Sequence, residues 1–121
     1  MNAEIRKTAS HTKSWKPVPN APGNEIKVLR HDTETGGSAI LLKMDPGAHY
    51  ASHIHPGGEE VYVLSGSLQL GADFLVEGDF LYTPPGGIHA ASSKAGCVVY
   101  ISVPLPIALA KPPVERGGRP D

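Results

Sequence analysis

Glycine and proline cut this chain into short pieces, and that punctuation limits what it can fold into. Turn-forming clusters occur at Thr35-Gly36-Gly37, Asp45-Pro46-Gly47, Pro56-Gly57-Gly58, Gly66, Gly71, Glu77-Gly78 and Pro84-Pro85-Gly86-Gly87. Between them lie nine runs with strand character: Glu25–Arg30, Ser38–Met44, His49–His55, Glu59–Leu64, Ser67–Leu70, Asp73–Val76, Asp79–Thr83, Ile88–Ser92 and Cys97–Val103. Gly 14 and Pro 12 together make up just over a fifth of the chain, a high share for a helical protein. Many short strands at this spacing predict an all-β sandwich or barrel.

Residues 1–24 are polar, carry Pro17, Pro19 and Pro22, and read as a surface arm or a short edge strand around Ser14 to Val18. Pro104-Leu105-Pro106 ends the last strand, because proline cannot donate to a ladder. Ile107–Lys111 reads as a single helical turn, and Pro112–Asp121 as a frayed tail. The expected division is an arm over 1–24, a barrel over 25–104 and a tail over 105–121.

The charge balance narrows the function classes. Lys+Arg 11 against Asp+Glu 12 gives a net charge of -1 with no basic cluster, which argues against nucleic acid or an anionic membrane as partner. No apolar run approaches the length of a membrane-spanning helix. The first seven residues lack the apolar core of a secretory signal. A lone cysteine, Cys97, allows no intrachain disulfide, so a reducing cytoplasm is the simplest setting.

Chemistry concentrates at His53-Ile54-His55, followed by Glu59, with His89 further on in Pro84-Pro85-Gly86-Gly87-Ile88-His89. Extended backbone points residues i and i+2 the same way, so His53 and His55 aim two imidazoles at one place. Glu59 can return a carboxylate there after the Pro56-Gly57-Gly58 turn, and a later strand can bring His89. Three nitrogens and one oxygen suit a divalent transition metal.

Other candidates have plainer readings. His49 shares strand parity with His53 but lies roughly 13 Å along the strand, which places it at a pocket mouth or on the surface. His11 and His31 sit in polar surroundings and read as solvated. Cys97 opens an apolar run and reads as a buried, inert thiol. Tyr62, Phe74, Phe80, Tyr82 and Tyr100 read as core or interface aromatics, and Trp15 as packing on a barrel face or a partner subunit.

The spacing of these residues resembles the two motifs of the cupin superfamily. The first, G-x5-H-x-H-x3,4-E-x6-G, is met by Gly47, His53, His55, Glu59 and Gly66. The second, G-x5-P-x-G-x2-H-x3-N, is met by Gly78, Pro84, Gly86 and His89, with Ser93 in place of the final Asn. The resemblance implies a double-stranded β-helix, or jelly-roll, barrel. Inside it, His53, His55, Glu59 and His89 would hold one divalent transition metal per chain: Fe, Zn, Mn or Ni. A four-residue spacer would select Glu60 instead. Glu59 alone gives the six-residue spacing to Gly66 and shares a face with Val61 and Val63.

The eleven-residue linker Ser67–Glu77 and the His-Pro-Gly-Gly-Glu-Glu string resemble one branch in particular. It contains the zinc-binding cupin domains of ChrR-type anti-sigma factors and the dioxygenases that cleave β-diketones and hydroxyacetophenones. Those dioxygenases often hold iron with three histidines, and Glu59 departs from that pattern. The branch implies either a metal-dependent dioxygenase acting on a small carbonyl or phenolic compound, or a non-catalytic metal- or ligand-binding module. It also implies a homodimer.

Overall fold

The computed structural model describes residues 4–109. A short 3-10 turn, Ser10–Thr12, precedes ten strands. They are β1 Lys16–Pro17, β2 Asn24–His31, β3 Ser38–Met44, β4 Ala48–His55, β5 Glu59–Leu70, β6 Asp73–Val76, β7 Phe80–Thr83, β8 Gly87–Ser93, β9 Cys97–Val103 and β10 Ala108–Leu109. All pairings are antiparallel, in the order β1-β2-β3-β9-β5-β8-β4-β10, with β6 and β7 also paired to β5. The sheet curls on itself as a double-stranded β-helix barrel. No helix among the described residues is long and apolar enough to cross a membrane.

β5 joins the two walls of the barrel. Its first half pairs with β7 and β9, and its second half with β6 and β8. Between Val63 and Ser65 the strand advances two residues while β9 advances one, a bulge that bends it and reverses its alternation. Glu59, Val61 and Val63 are therefore buried before the bulge, and Leu68 and Leu70 after it. Gly66 was expected to separate two strands; instead it belongs to this single bent strand. Its φ is +78°, and a Cβ there would strike the carbonyl oxygen of Gly96, so glycine alone fits.

The core joins Leu42 and Met44 of β3, Val61, Val63, Leu68 and Leu70 of β5, Leu75 of β6 and Val99 of β9. Burying each such aliphatic side chain is worth roughly 1.5–3 kcal/mol relative to leaving it exposed. Cys97 joins this core as a buried free thiol, and burial raises its pKa, as the inert reading expected. The aromatics do not follow their core reading. Tyr62, Phe74, Phe80 and Tyr82 are exposed, and Tyr100 lies outside the core cluster. Strand alternation explains this for Tyr62, which stands between the buried Val61 and Val63 and must point outward.

Both ends of the sheet are extended by short strands. β1 falls within the expected edge strand and pairs with β2. Trp15 beside it packs on the barrel face, with the Lys27 and Lys43 ammonium groups 4.8 and 4.9 Å from its ring centre. At the other end, Ala108 and Leu109 pair with Ile54 and His53 of β4. This corrects the expected helical turn over Ile107–Lys111. Five residues behind two prolines are too few to sustain a helix, whereas the open edge of β4 offers ladder partners. Residues 110–111 and the expected tail over Pro112–Asp121 lie outside the described residues.

Candidate metal centre

β4 carries the site, and its pairing with β8 sets the geometry. His53 stands opposite His89 and His55 opposite Gly87, so the two motif segments meet as neighbouring strands. The Pro56–Gly58 turn then reverses the chain and brings Glu59, at the start of β5, beneath them. The carbonyl of His55 accepts hydrogen bonds from the backbone N–H groups of Gly58 (3.0 Å) and Gly86 (2.7 Å), tying the first motif's turn to the second's. Gly58 has φ +86°, and a Cβ would lie 2.7 Å from the carbonyl oxygen of Thr83.

His53, His55 and Glu59 are buried and bring ligand atoms within 4.8 Å of one another. His89 borders this set: its Nε2 lies 3.2 Å from Glu59 Oε1, and its ring centre 4.4 Å from that of His55 and 5.9 Å from that of His53. His55 Nε2 is 3.4 Å from the same Glu59 oxygen. Glu59 points inward at 4% exposure while Glu60 is exposed, so the face shared with Val61 and Val63 picks out Glu59.

Hydrogen bonds fix two of the rings. His53 Nδ1 contacts the carbonyl of Ala51 at 3.0 Å, and His55 Nδ1 the carbonyl of Gly87 at 2.9 Å. A carbonyl only accepts, so each Nδ1 carries the hydrogen and each Nε2 presents a lone pair. Burial pushes the pKa of His53 below its ordinary 6.5; neighbouring His55 and His89 lower it further, against opposing contributions from the Ala51 carbonyl and Glu59. A neutral imidazole is the form that binds a metal.

The residues fit a cation by a second criterion. His55 Nε2, Glu59 Oε1 and both nitrogens of His89 are buried without a hydrogen-bond partner, although the two Nε2 atoms approach the carboxylate oxygen closely. The lone pairs of His55 Nε2 and Glu59 Oε1 thus face one another in a buried space, an arrangement costly unless a cation sits between them.

An apolar cavity of about 370 Å3 opens onto this cluster, and His53, Glu59 and His89 form part of its wall. The rest is mostly aliphatic, including Ile26, Ile40, Val61, Leu68 and Ile101. His31, expected to be merely solvated, is exposed yet reaches the cavity wall, where its Nδ1 is 3.0 Å from Ser38 Oγ. His11 is exposed, as expected.

His49 does not line the cavity mouth. Between Tyr50 and His53 the strand β4 advances three residues while β8 advances two, so Ala51 and Ser52 together oppose Ala90. This bulge reverses the alternation, leaving His49 exposed and turning Tyr50 into the cavity. Tyr50, whose ring centre lies 5.3 Å from that of His53, is the site residue that sequence reasoning missed. No turn residue marks this bulge, so the sequence carried no signal for it.

Comparison with known proteins agrees with this architecture. The barrel superposes on a provisionally assigned acetylacetone dioxygenase from Methylibium petroleiphilum with a TM-score of 0.82, at 21% identity, over 93% of this chain and 86% of that one. An acetylacetone dioxygenase from Acinetobacter johnsonii gives 0.78 at 17% identity, over 92% and 80%. The complex of Rhodobacter sphaeroides SigE with the anti-sigma ChrR gives 0.64 at 22% identity, over 74% and 47%. Identities this low establish the fold alone. A curated relative, the DNA damage-repair/toleration protein DRT102 of Arabidopsis thaliana, is 34% identical over 64% of this chain, which spans about a quarter (26%) of that protein's length. The family model of the ChrR cupin-like domain matches residues 5–104, and the chain belongs to that family.

Proposed function

We propose that His53, His55, Glu59 and His89 hold one divalent transition metal, and that the protein is a small-molecule metalloenzyme of dioxygenase type acting on a carbonyl or phenolic compound. The observation that carries this reading is the apolar cavity reaching the ligand cluster. A purely structural ion needs a closed shell, whereas here three of the four residues face space large enough for a small organic molecule. The likeness to acetylacetone dioxygenases supports the same reading.

When bound, the ion would supply Lewis-acid polarisation of a substrate oxygen and, if redox-active, one-electron chemistry. The remaining work belongs to the chain. Ala51 and Gly87 orient the imidazoles of His53 and His55, and Glu59 adds one negative charge to three neutral nitrogens. The aliphatic wall excludes water from whatever oxygen ligand enters.

The alternative is a non-catalytic module that uses the metal for stability or sensing. The family assignment and the structural likeness to the ChrR complex favour it, and four protein ligands can complete a tetrahedron around zinc. Elemental analysis of protein purified without chelators, followed by oxygen uptake with β-diketones and phenolic ketones, separates the two. Iron, manganese or nickel with substrate-dependent uptake supports the enzyme. Full zinc occupancy with no uptake and no ligand binding overturns it.

A homodimer and a reducing cytoplasmic setting are part of the same proposal. The dimer is supported by the outward-facing Tyr62, Phe80 and Tyr82 on neighbouring strands β5 and β7. A single monomeric species in sedimentation at micromolar concentration would overturn it. The buried free thiol of Cys97 suits a reducing compartment.

A further inference from the structure

Among the described residues, six polar side chains line the cavity, and five of them are committed elsewhere. His53, Glu59 and His89 belong to the ligand cluster, while His31 and Ser38 contact each other. Tyr50 is the sixth. Its hydroxyl has no hydrogen-bond partner among the described residues, and its ring packs against the ring of His53. The bulge at Ala51 and Ser52 interrupts the very strand that carries two of the candidate ligands, and its effect on the cavity is to turn Tyr50 inward.

Among the described residues, the wall also lacks any lysine or arginine. A divalent ion with three neutral imidazoles and one carboxylate carries a net single positive charge. A singly charged oxygen chelator neutralises it. A dianion would leave an unpaired negative charge among aliphatic side chains, which is strongly unfavourable.

We propose that Tyr50 is a specificity-determining residue of this cavity: its phenol O–H donates a hydrogen bond to an oxygen of a singly anionic, hydrocarbon-bodied chelator held at the His53, His55, Glu59 and His89 cluster. This rests on the metal reading above. The hydrogen bond runs from a neutral donor to a charged acceptor against a mostly aliphatic wall, a pairing stronger than one between two neutral groups.

The test uses the zinc-loaded protein, so that no turnover intrudes, with acetylacetone as the probe and calorimetry as the readout. Tyr50→Phe keeps the ring and removes only the hydroxyl. With zinc content unchanged, its affinity for acetylacetone should fall about tenfold or more, as for loss of a hydrogen bond to a charged group. Affinity for imidazole, which binds through nitrogen and offers no oxygen, should stay within about twofold, whereas a merely structural role for Tyr50 would weaken both. Malonate, a dianion of similar bite, should bind less tightly than acetylacetone.

Equal acetylacetone affinity in wild type and Y50F overturns the role of Tyr50 and leaves the metal reading intact. Loss of zinc from Y50F also overturns it, by making Tyr50 a support for His53. Malonate binding as tightly as acetylacetone overturns the charge selection. A wild-type protein that holds zinc but binds no acetylacetone overturns this proposal, while the enzymatic reading beneath it stands or falls by the oxygen-uptake assay above.

Discussion

The strand pairs β3–β9 and β4–β8 are built from similar lengths of chain and do opposite work. β3 and β9 run in unbroken register through seven pairs, from Ser38 against Val103 to Met44 against Cys97. β4 and β8 hold register only on either side of a bulge. The regular pair buries Leu42, Met44, Cys97 and Val99 and closes the core. The irregular pair buries His53 and His55, turns Tyr50 inward and leaves His49 outside. Uniform alternation makes a smooth apolar wall, while a single extra residue lets one strand aim three polar side chains into one space.

If the two pairs divide the work this way, damage to each should appear in a different measurement. The largest effect belongs to His55→Ala. His55 is fully buried, with its backbone and its Nδ1 both held by the Gly86-Gly87 segment. Its replacement should abolish retention of metal through gel filtration, read by elemental analysis. Full metal content in H55A would sink the ligand assignment. On the regular pair, Met44→Ala opens a cavity at a residue 1% exposed and should cost about 2–5 kcal/mol of stability in urea unfolding. Metal stoichiometry of the folded variant should stay at the wild-type value. A loss of metal there would break the division.

Glu59 and its neighbour sharpen the contrast within one strand. Glu59→Gln removes the buried charge and should weaken metal binding at least tenfold, measured by chelator competition, whereas the exposed Glu60→Gln should leave it unchanged. Unchanged affinity in E59Q would move Glu59 out of direct contact with the ion.

How far the sequence revealed these features follows the same regular-versus-bulged line. Ser38–Met44, Asp73–Val76 and Cys97–Val103 match the observed strands end for end, because turn residues bound them and alternation runs through them unbroken. His53, His55, Glu59 and His89 were legible because the motif spacings fix which residues meet once β4 and β8 pair. Tyr50 was not, since strand parity read across an unmarked bulge assigns it to the wrong face. The second bulge hid the continuity of β5 for the same reason, with Gly66 read as a separator. The β10 pairing was invisible because Ala108 and Leu109 have no strong strand preference, and tertiary context, the open edge of β4, decides their conformation.

Acid should then act on the irregular pair before the regular one. Burial lowers the pKa of His53 from 6.5 in the folded state, so below that value the unfolded chain takes up a proton that the folded chain resists. More protons on the unfolded state mean that stability rises with pH across this window, so it falls as pH drops from above 6.5 through the lowered pKa. Chelator-treated protein should accordingly melt at a lower temperature at pH 5.5 than at pH 7.5. Bound metal, which holds the imidazoles of the folded chain unprotonated throughout this window, should widen that difference. A melting temperature that rises on acidification would overturn the reading of His53 as a buried neutral imidazole.

The smallest effect is expected farthest from the site, where the arm meets the regular wall. Trp15 meets the ammonium groups of Lys27 on β2 and Lys43 on β3, and Lys43 also pairs with Glu25, its partner across the ladder, at 3.1 Å. Cation–π contacts at partly exposed sites contribute about 0.5–1 kcal/mol each, so Trp15→Ala should lower stability by about 1–2 kcal/mol. Because the clamp grips the outer face of β2 and β3, neither metal content nor acetylacetone affinity should change in W15A. A loss of either would mean that the arm, through β2 and its cavity-lining Ile26, helps to shape the site, and that the division between the two strand pairs is less clean than their registers imply.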